Sequence, residues 1–339
     1  MEIKDFHNEK VCVDEIKAIK KIESIINDPL PIVDSILETP FGMKIENGHV
    51  TGLRLNGFGE KIFDVPFEEL GALQKLILAS NDLENLPDTL NSLKSLKYLV
   101  LMVNKFQSLP KVVCSMQTLE ELYLDGNLEL IFLPESIGNL TSLQILSLGA
   151  TRLTSLPDSI KNLTSLRTLT FNDSKLTEIP EQIYSLTGLE ELIIGWNKLT
   201  ELPDSFGNLR SLKVLNLAYN KLSILPDIFN NLNKLERLNL ANNELESLPE
   251  SFSSLTSLKE LDLIGNKLKD VEILNSLKAL KTLYLCGNDL SEIPQFICDL
   301  KWLEILDLSG NNLKSIPDCI GRLKSLYELW ISANPLKNM

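Results

Sequence analysis

The fold of this protein is decided by one stretch of sequence, Leu212–Pro226, which reads LKVLNLAYNKLSILP. Leucines stand at its first, fourth, sixth, eleventh and fourteenth positions, an asparagine at the ninth, and a proline closes it. The alternation of apolar and polar residues near its start is typical of a short strand with one face in a core. The proline, followed by an acid at Asp227, favours a short helical turn, because proline suits the first helical position. The stretch therefore predicts one strand followed by a return.

The same pattern recurs through most of the 339 residues. Ten of its twelve spacings are 23 residues, and the other two are 24 and 22. A repeat held in register in this way predicts a stack of near-identical coils. The extra residue lies in Leu128–Phe132, where we expect a local bulge. The thirteen copies begin at Val50, Leu73, Leu96, Leu119, Leu143, Leu166, Leu189, Leu212, Leu235, Leu258, Leu280, Leu303 and Leu326.

An asparagine occupies the ninth position in most coils, and Thr151 and Ser174 replace it in two consecutive ones. An inward amide can satisfy backbone groups that the turn frees, both in its own coil and in the next. We therefore expect a ladder of asparagines through the stack, slightly weaker at the two hydroxyl residues. The return segments leave about nine residues each, which favours 3₁₀ or single-turn helices over long α-helices.

These features resemble the leucine-rich repeat family. The 23-residue length and the return Leu-Pro-x-x-Ile/Phe-x-x-Leu are similar to its intracellular, Ras-associated subgroup, which is also widespread in prokaryotes. The resemblance covers residues 50–336 and implies an α/β solenoid: a right-handed horseshoe with a parallel concave sheet and short 3₁₀ or helical convex segments. It also implies a non-catalytic scaffold that binds a protein partner on its concave face, with a role in signalling and small GTPases or phosphatases as partners by analogy.

The residues before the repeats predict a cap over positions 1–49, with the solenoid of about thirteen coils over 50–339. Residues 13–26 suit an amphipathic helix, which Asn27-Asp28-Pro29 would stop. Asn47-Gly48 between two apolar arms indicates a type I′ hairpin whose second arm becomes the first strand of the stack. The stripe expected to face the core consists of Ile16, Ile19, Ile22 and Ile26.

The other end of the stack carries no closing helix in Asn334–Met339. Three interpretations stay open: the last coil is tolerated open, self-association covers it and makes a homo-oligomer, or the chain is the recognition domain of a longer protein.

Composition excludes several classes of function. The formal net charge of −13 argues against a nucleic-acid binder, which needs a basic face. No run of about 18 apolar residues exists, so we expect no membrane insertion, and the charged Met1–Asp5 does not resemble a secretory signal. The five cysteines are an odd number and widely spaced, which fits a reducing compartment and predicts a cytoplasmic protein with unpaired thiols.

No catalytic constellation is visible. The two histidines, His7 and His49, lie outside the regular repeats, and His49 beside the hairpin turn suggests a turn or edge role. Neither a zinc-binding spacing nor a P-loop occurs. We therefore expect no enzyme, no cofactor and no metal.

Function should lie on the outward positions of the strands, which the repeat does not dictate. These carry eight acids against three bases, which favours a partner with a basic and partly apolar surface. The alternative is that β-propensity alone explains the aromatic and branched residues there. The candidate contact residues on the concave face are Ile77, Tyr98, Val100, Met102, Tyr123, Ile193, Trp196, Tyr219, Glu260, Asp262, Tyr284, Asp307, Glu328 and Trp330.

Overall fold

A computed structural model describes residues 3–6 and 9–337 and shows an α/β solenoid of stacked coils. The chain forms two compact units, Met1–Leu169 and Thr170–Met339. The first unit contains β1 (Ile3–Phe6), β2 (Glu9–Cys12), α1 (Val13–Ile26), β3 (Phe41–Glu46), β4 (His49–Leu55), β5 (Lys75–Ile77), β6 (Tyr98–Val100), β7 (Glu121–Tyr123) and β8 (Ile145–Ser147). The division falls within β9 (Thr168–Thr170). The second unit contains β10 (Glu191–Ile193), β11 (Val214–Asn216), β12 (Arg237–Asn239), β13 (Glu260–Asp262), β14 (Thr282–Tyr284), β15 (Ile305–Asp307) and β16 (Glu328–Trp330).

Within each unit the repeat strands pair in parallel and in register. Leu238 of β12 lies opposite Leu261 of β13, and Leu261 lies opposite Leu283 of β14 although that coil is one residue short. The missing residue is therefore lost outside the strands. The extra residue in Leu128–Phe132 forms the expected local bulge, because Leu130 stays buried while Leu128 is 67% exposed. The core lies between the strands and the return segments.

The return segments form the short 3₁₀ turns expected from the sequence. Asp204–Asn208 follows Pro203, and Glu250–Ser254 follows Pro249. Their large apolar residues fill the core, as the ring contact of Phe229 with Phe252 at 4.5 Å shows. Each buried side chain of this size stabilises the fold by about 1.5–3 kcal/mol, so the core is built coil by coil.

The asparagine ladder is present as predicted. The Asn243 amide nitrogen donates to the carbonyl oxygens of Leu240 in its own coil and Leu217 in the preceding one, both at 3.0 Å. Its oxygen accepts from the Leu222 amide at 3.0 Å. Where a hydroxyl replaces the amide, Thr151 donates to the Leu148 oxygen of its own coil at 2.9 Å.

α1 spans the predicted residues, and Asn27 ends it in the left-handed conformation with a φ of 60°. The expected buried stripe is partly wrong, because Ile16 is only half-buried and Glu15 is 4% exposed. Glu15 accepts the Val50 amide at 2.8 Å and contacts His49 Nδ1 at 3.1 Å. A buried carboxylate is tolerated there because these groups satisfy its oxygens and join the helix to the hairpin.

The predicted hairpin joins β3 to β4, with left-handed φ angles of 53° at Asn47 and 81° at Gly48. β3 therefore covers the edge of the first unit's sheet, and His49 lies directly after the hairpin turn, one of the two positions expected for it. A second hairpin, β1 with β2, was not predicted from the sequence. His7 lies outside the described residues, as do the last two residues of the predicted open end.

The expectation of unpaired cysteines is wrong for one pair. Cys298 and Cys319 form a disulfide between adjacent 3₁₀ turns, with their Cα atoms 5.6 Å apart. Cys12 and Cys114 are buried and free, and Cys286 is half-buried and free. Widely separated cysteines misled the sequence argument, because stacking brings together residues that lie about one repeat apart.

Replacing Asn243 with alanine should leave three backbone groups without their amide partner. An unpaired buried polar group costs about 1–3 kcal/mol, so we expect a loss of about 3 kcal/mol in the free energy of unfolding. Asn243→Ser retains one hydroxyl, like Ser174 in its own coil, and should lose less. Urea denaturation followed by circular dichroism measures both, and equal losses would contradict the proposed role of the amide.

Removing the disulfide with Cys298→Ser and Cys319→Ser together should lower the stability of the second unit. The bridge closes a loop with a sequence separation of 21, for which loop-closure entropy gives about 3 kcal/mol. The same denaturation assay measures the loss, and Cys286→Ser is the matched control that should change little. A thiol titration of the denatured parent that finds all five cysteines reactive without reductant would refute the pairing.

Candidate functional site

In each unit, the repeat strands have one side against the leucine core and one side away from it. The side away from the core, called here the sheet face, carries the residues that the repeat leaves free. In β13 the central Leu261 is buried. Glu260 before it is exposed, and Asp262 after it is half-buried. Because side chains alternate along a strand, these two point away from the core. The same alternation places every predicted strand residue on the sheet face of its own unit.

The apolar part of the first unit's sheet face is largely covered by the chain itself. Ile36, from the segment before β3, packs against Ile77 and Val100, which are 3% and 6% exposed. The prediction that these two residues are exposed partner contacts is therefore wrong. Gly52 leaves space for the Ile36 side chain, since a Cβ atom at position 52 would lie only 3.2 Å from Ile36 Cδ1.

Arg54 holds this covering segment in place. Its Nη1 donates to the carbonyl oxygens of Ile36 at 3.1 Å and Leu37 at 3.0 Å. Arg54 is one of the three bases at the outward positions of the strands, and no pattern in the sequence assigns a role to Ile36. The apolar residues of this segment, Ile32, Val33, Ile36 and Leu37, were the available signal, but nothing in the sequence says which surface they cover.

Tyr98, Met102 and Tyr123 stay half-buried at the edge of this cluster. The Tyr98 and Tyr123 rings lie 5.3 Å apart, and the Tyr123 hydroxyl donates to Glu121 Oε2 at 2.7 Å. Burial, followed by the hydrogen bond to Glu121 and its charge, raises the pKa of Tyr123 far above its usual value. The tyrosine therefore remains a neutral donor, and its polar atom is already engaged within the unit.

The second unit carries an exposed aromatic pair. The Trp196 and Tyr219 rings stack with centroids 3.7 Å apart and planes 12° from parallel. Both residues occupy the eighth repeat position, with left-handed φ angles of 56° and 55°. Gly265 and Gly287 fill the equivalent position in later coils. A bulky side chain costs about 1 kcal/mol there, so the local turn does not explain the aromatics. Ile193 lies half-buried on the nearby β10.

The last four strands of the second unit form an acidic and aromatic surface, called here the acidic face. Strand pairing places Asp262, Tyr284, Asp307 and Trp330 in one row, each directly opposite the next. Glu260 and Glu328 lie on the outer strands of the same surface. The structure therefore brings together all six residues predicted for this zone.

The two aspartates of the row have a local task that does not need charge. Asp307 Oδ1 accepts the Ser309 amide at 2.8 Å, and Asp262 Oδ1 accepts the Ile264 amide at 3.0 Å. At the equivalent position of an earlier coil, the side-chain oxygen of Asn216 accepts the Ala218 amide at 2.9 Å in the same way. A neutral asparagine therefore suffices for the turn, and the negative charges need another explanation.

The acidic face repels its own charges. Burial raises the pKa of Asp262, and the charges of Glu260 and Asp307 raise it further. Burial and the same field raise the pKa of the Tyr284 hydroxyl and of the Cys286 thiol. The surface therefore holds negative potential that no group within it neutralises.

Several acids elsewhere in the coils are paired with lysines. Lys213 contacts Glu190 at 2.6 Å, Lys259 contacts Glu236 at 2.7 Å, and similar pairs recur in other coils. Among the described residues, no ion pair within 4.0 Å involves the four carboxylates of the acidic face. Arg237 on β12 lies opposite Glu260 on β13, but the two side chains form no such ion pair.

Comparisons with known proteins agree with this architecture. A leucine rich repeat model matches residues 71–128, 141–199 and 278–336, and a leucine-rich repeat region model matches residues 192–286. The chain belongs to the leucine-rich repeat family. Members of this family are typically non-catalytic binding proteins. No curated protein sequence gives a significant match.

Solved structures extend the likeness over nearly the whole chain. A leucine-rich repeat protein of Leptospira interrogans is 30% identical, with a TM-score of 0.76 over 97% of this chain and 95% of that one. An internalin of Listeria monocytogenes is 24% identical and shares the fold, with a TM-score of 0.74 over 96% of this chain and 90% of that one. The plant peptide hormone receptor RGFR1, solved in complex with RGF2, is 27% identical, with a TM-score of 0.62 over 84% of this chain and 50% of that one. The leucine-rich repeat fold is a protein-interaction module in such neighbours.

Between residues 3 and 337, with positions 7 and 8 set aside, no helix is long and apolar enough to cross a membrane. The same residues contain no group of three or more histidine, cysteine or acidic side chains that could hold a metal ion.

Replacing Asp262 with asparagine should stabilise this leucine-rich repeat protein at neutral pH. The raised pKa means that ionisation of Asp262 opposes folding as pH rises from the ordinary value of 3.8 through the raised one. Asparagine removes that charge and retains the bond to Ile264. The melting temperature should therefore rise at about pH 7 and match the parent at about pH 3, where both side chains are neutral. Asp204→Asn, at an exposed return turn, is the control, and an equal gain there would contradict the assignment.

Proposed function

We propose that this leucine-rich repeat protein is a non-catalytic module that binds a partner with a basic and partly apolar surface on its acidic face. The observation that carries the proposal is the set of four carboxylates without an ion-pair partner. The local turns need no charge at Asp262 or Asp307, as the asparagine at the equivalent Asn216 indicates. The neighbouring negative charges that help to raise the pKa of Asp262 become favourable once a cationic surface covers them.

The exposed aromatics supply the apolar part of this surface. Trp330 is 45% exposed beside the carboxylates, and Trp196 and Tyr219 are 59% and 42% exposed in the same unit. Tryptophan and tyrosine dominate the energy of many protein interfaces because they bury a large area with few rotatable bonds. Their strained turn positions support a role beyond folding for Trp196 and Tyr219.

The solved complex of RGFR1 with RGF2 supports this proposal by analogy, since that receptor shares the fold. A signalling role with a small GTPase or phosphatase rests on the family resemblance alone. Cytoplasmic location, self-association and membership of a longer protein likewise stay predictions. The disulfide removes one argument for a reducing compartment, because the cysteines are not all unpaired.

The test compares two double variants that lose the same charge. Asp262→Asn with Asp307→Asn removes two carboxylates from the acidic face and retains both turn hydrogen bonds. Asp204→Asn with Asp318→Asn removes two exposed carboxylates from the return turns. Immobilised parent and variants are incubated with extract of the native cell, and bound proteins are quantified by mass spectrometry.

We expect one or more basic proteins to bind the parent and the return-turn variant and to be lost from the acidic-face variant. Removing close charge pairs at an interface costs about 1.5 kcal/mol or more each, so purified partner should bind at least about tenfold more weakly. Unchanged capture by the acidic-face variant would refute the proposal.

A further inference from the structure

Two aromatic rings on the acidic face are held parallel but apart. Tyr284 and Trp330 lie two strands from each other, and their ring planes are 12° from parallel with centroids 6.5 Å apart. Trp196 and Tyr219 show the same 12° angle with centroids at 3.7 Å, which is direct face-to-face contact. Half of this centroid distance is about 3.3 Å, slightly below the contact distance of about 3.5 Å between carbon atoms, so the rings must part by a few tenths of an ångström to admit a flat group.

An acidic residue lies on the strand between these two aromatic residues. Asp307 lies on the intervening strand, opposite Tyr284 on one side and Trp330 on the other. One of its oxygens accepts the Ser309 amide, and the other makes no hydrogen bond to any described residue. Asp262 continues the row next to Tyr284. The order along the row is therefore acid, aromatic, acid, aromatic.

This order selects a ligand that is both flat and cationic. Guanidinium is planar, stacks on aromatic faces and donates paired hydrogen bonds to carboxylates. An ammonium group has the charge without the flat shape, and a neutral aromatic group has the shape without the charge. Among the described residues, the cation–π contact that the structure contains is that of Lys75 with Tyr98, so no cation of the chain occupies the face of Tyr284 or Trp330.

We propose that Tyr284, Asp307 and Trp330 form a slot for one arginine side chain of the protein partner. The inference rests on the proposed function and specifies the chemistry of the contact. The guanidinium enters between the two rings and donates to the free oxygen of Asp307. Negative charges surround the slot on Asp262, Glu260 and Glu328. Besides burial, each of these charges raises the pKa of Tyr284.

The experiment uses the whole protein and three acetylated, amidated peptides that differ at one residue: arginine, lysine or citrulline in the sequence Gly-Ser-X-Ser-Gly. Citrulline retains the flat shape and lacks the charge, whereas lysine retains the charge and lacks the flat shape. Binding is followed by calorimetry and by chemical shifts of the tryptophan indole protons. We expect the arginine peptide to bind at least about fivefold more tightly than either other peptide.

Variants locate the site. Trp330→Leu and Asp307→Asn should each weaken binding of the arginine peptide at least about fivefold, the second without loss of the Ser309 bond. Trp302→Leu is the matched control, since Trp302 is 65% exposed in the same unit but lies outside the acidic face. Its affinity for the peptide should equal that of the parent.

Equal binding of the arginine and lysine peptides, or of the arginine and citrulline peptides, would overturn the slot. So would the absence of arginine binding at about 10 mM peptide, or binding that survives Trp330→Leu. None of these results touches the proposed function, which the capture experiment with the Asp262 and Asp307 double variant decides. Loss of captured partner with equal peptide binding therefore refutes the slot alone.

Discussion

Each unit of this protein depends on the pairing of backbone groups at the turn that ends every strand. The turn frees amide and carbonyl groups inside the stack, where an unpaired group costs about 1–3 kcal/mol. The inward asparagine supplies two donors and an acceptor, and it contacts both its own coil and the preceding one, as Asn243 shows. A single coil cannot satisfy these groups alone, so the coils stack in register.

This register explains why the outward residues form ordered rows. Residues one repeat apart come to lie side by side on neighbouring strands, about 4.8 Å apart. Asp262, Tyr284, Asp307 and Trp330 become one row although they span 69 positions of the sequence. The repeat constrains the leucines and the asparagine but places no such demand on the row, which can therefore specialise for binding.

Much of the fold followed from local rules. The period of 23 residues placed the strands, proline and its following acid placed the 3₁₀ turns, and Asn47-Gly48 placed the hairpin. Those local rules could not predict contacts between distant segments of the chain. Glu15 is buried because the hairpin offers it the Val50 amide, and Ile77 and Val100 are buried because Ile36 folds over them. Cys298 and Cys319 meet because the 3₁₀ turns of adjacent coils lie side by side.

The periodic pattern of single residues was sufficient to establish the solenoid, its register and the identity of the outward residues. Which of those residues are free to bind depends on contacts between distant segments, so it is settled by the folded structure. The folded structure covers the apolar zone of the first unit and leaves the four carboxylates of the acidic face without ion pairs. It also set the gap between Tyr284 and Trp330, since the tilt of two rings depends on their packing and not on their spacing in the chain.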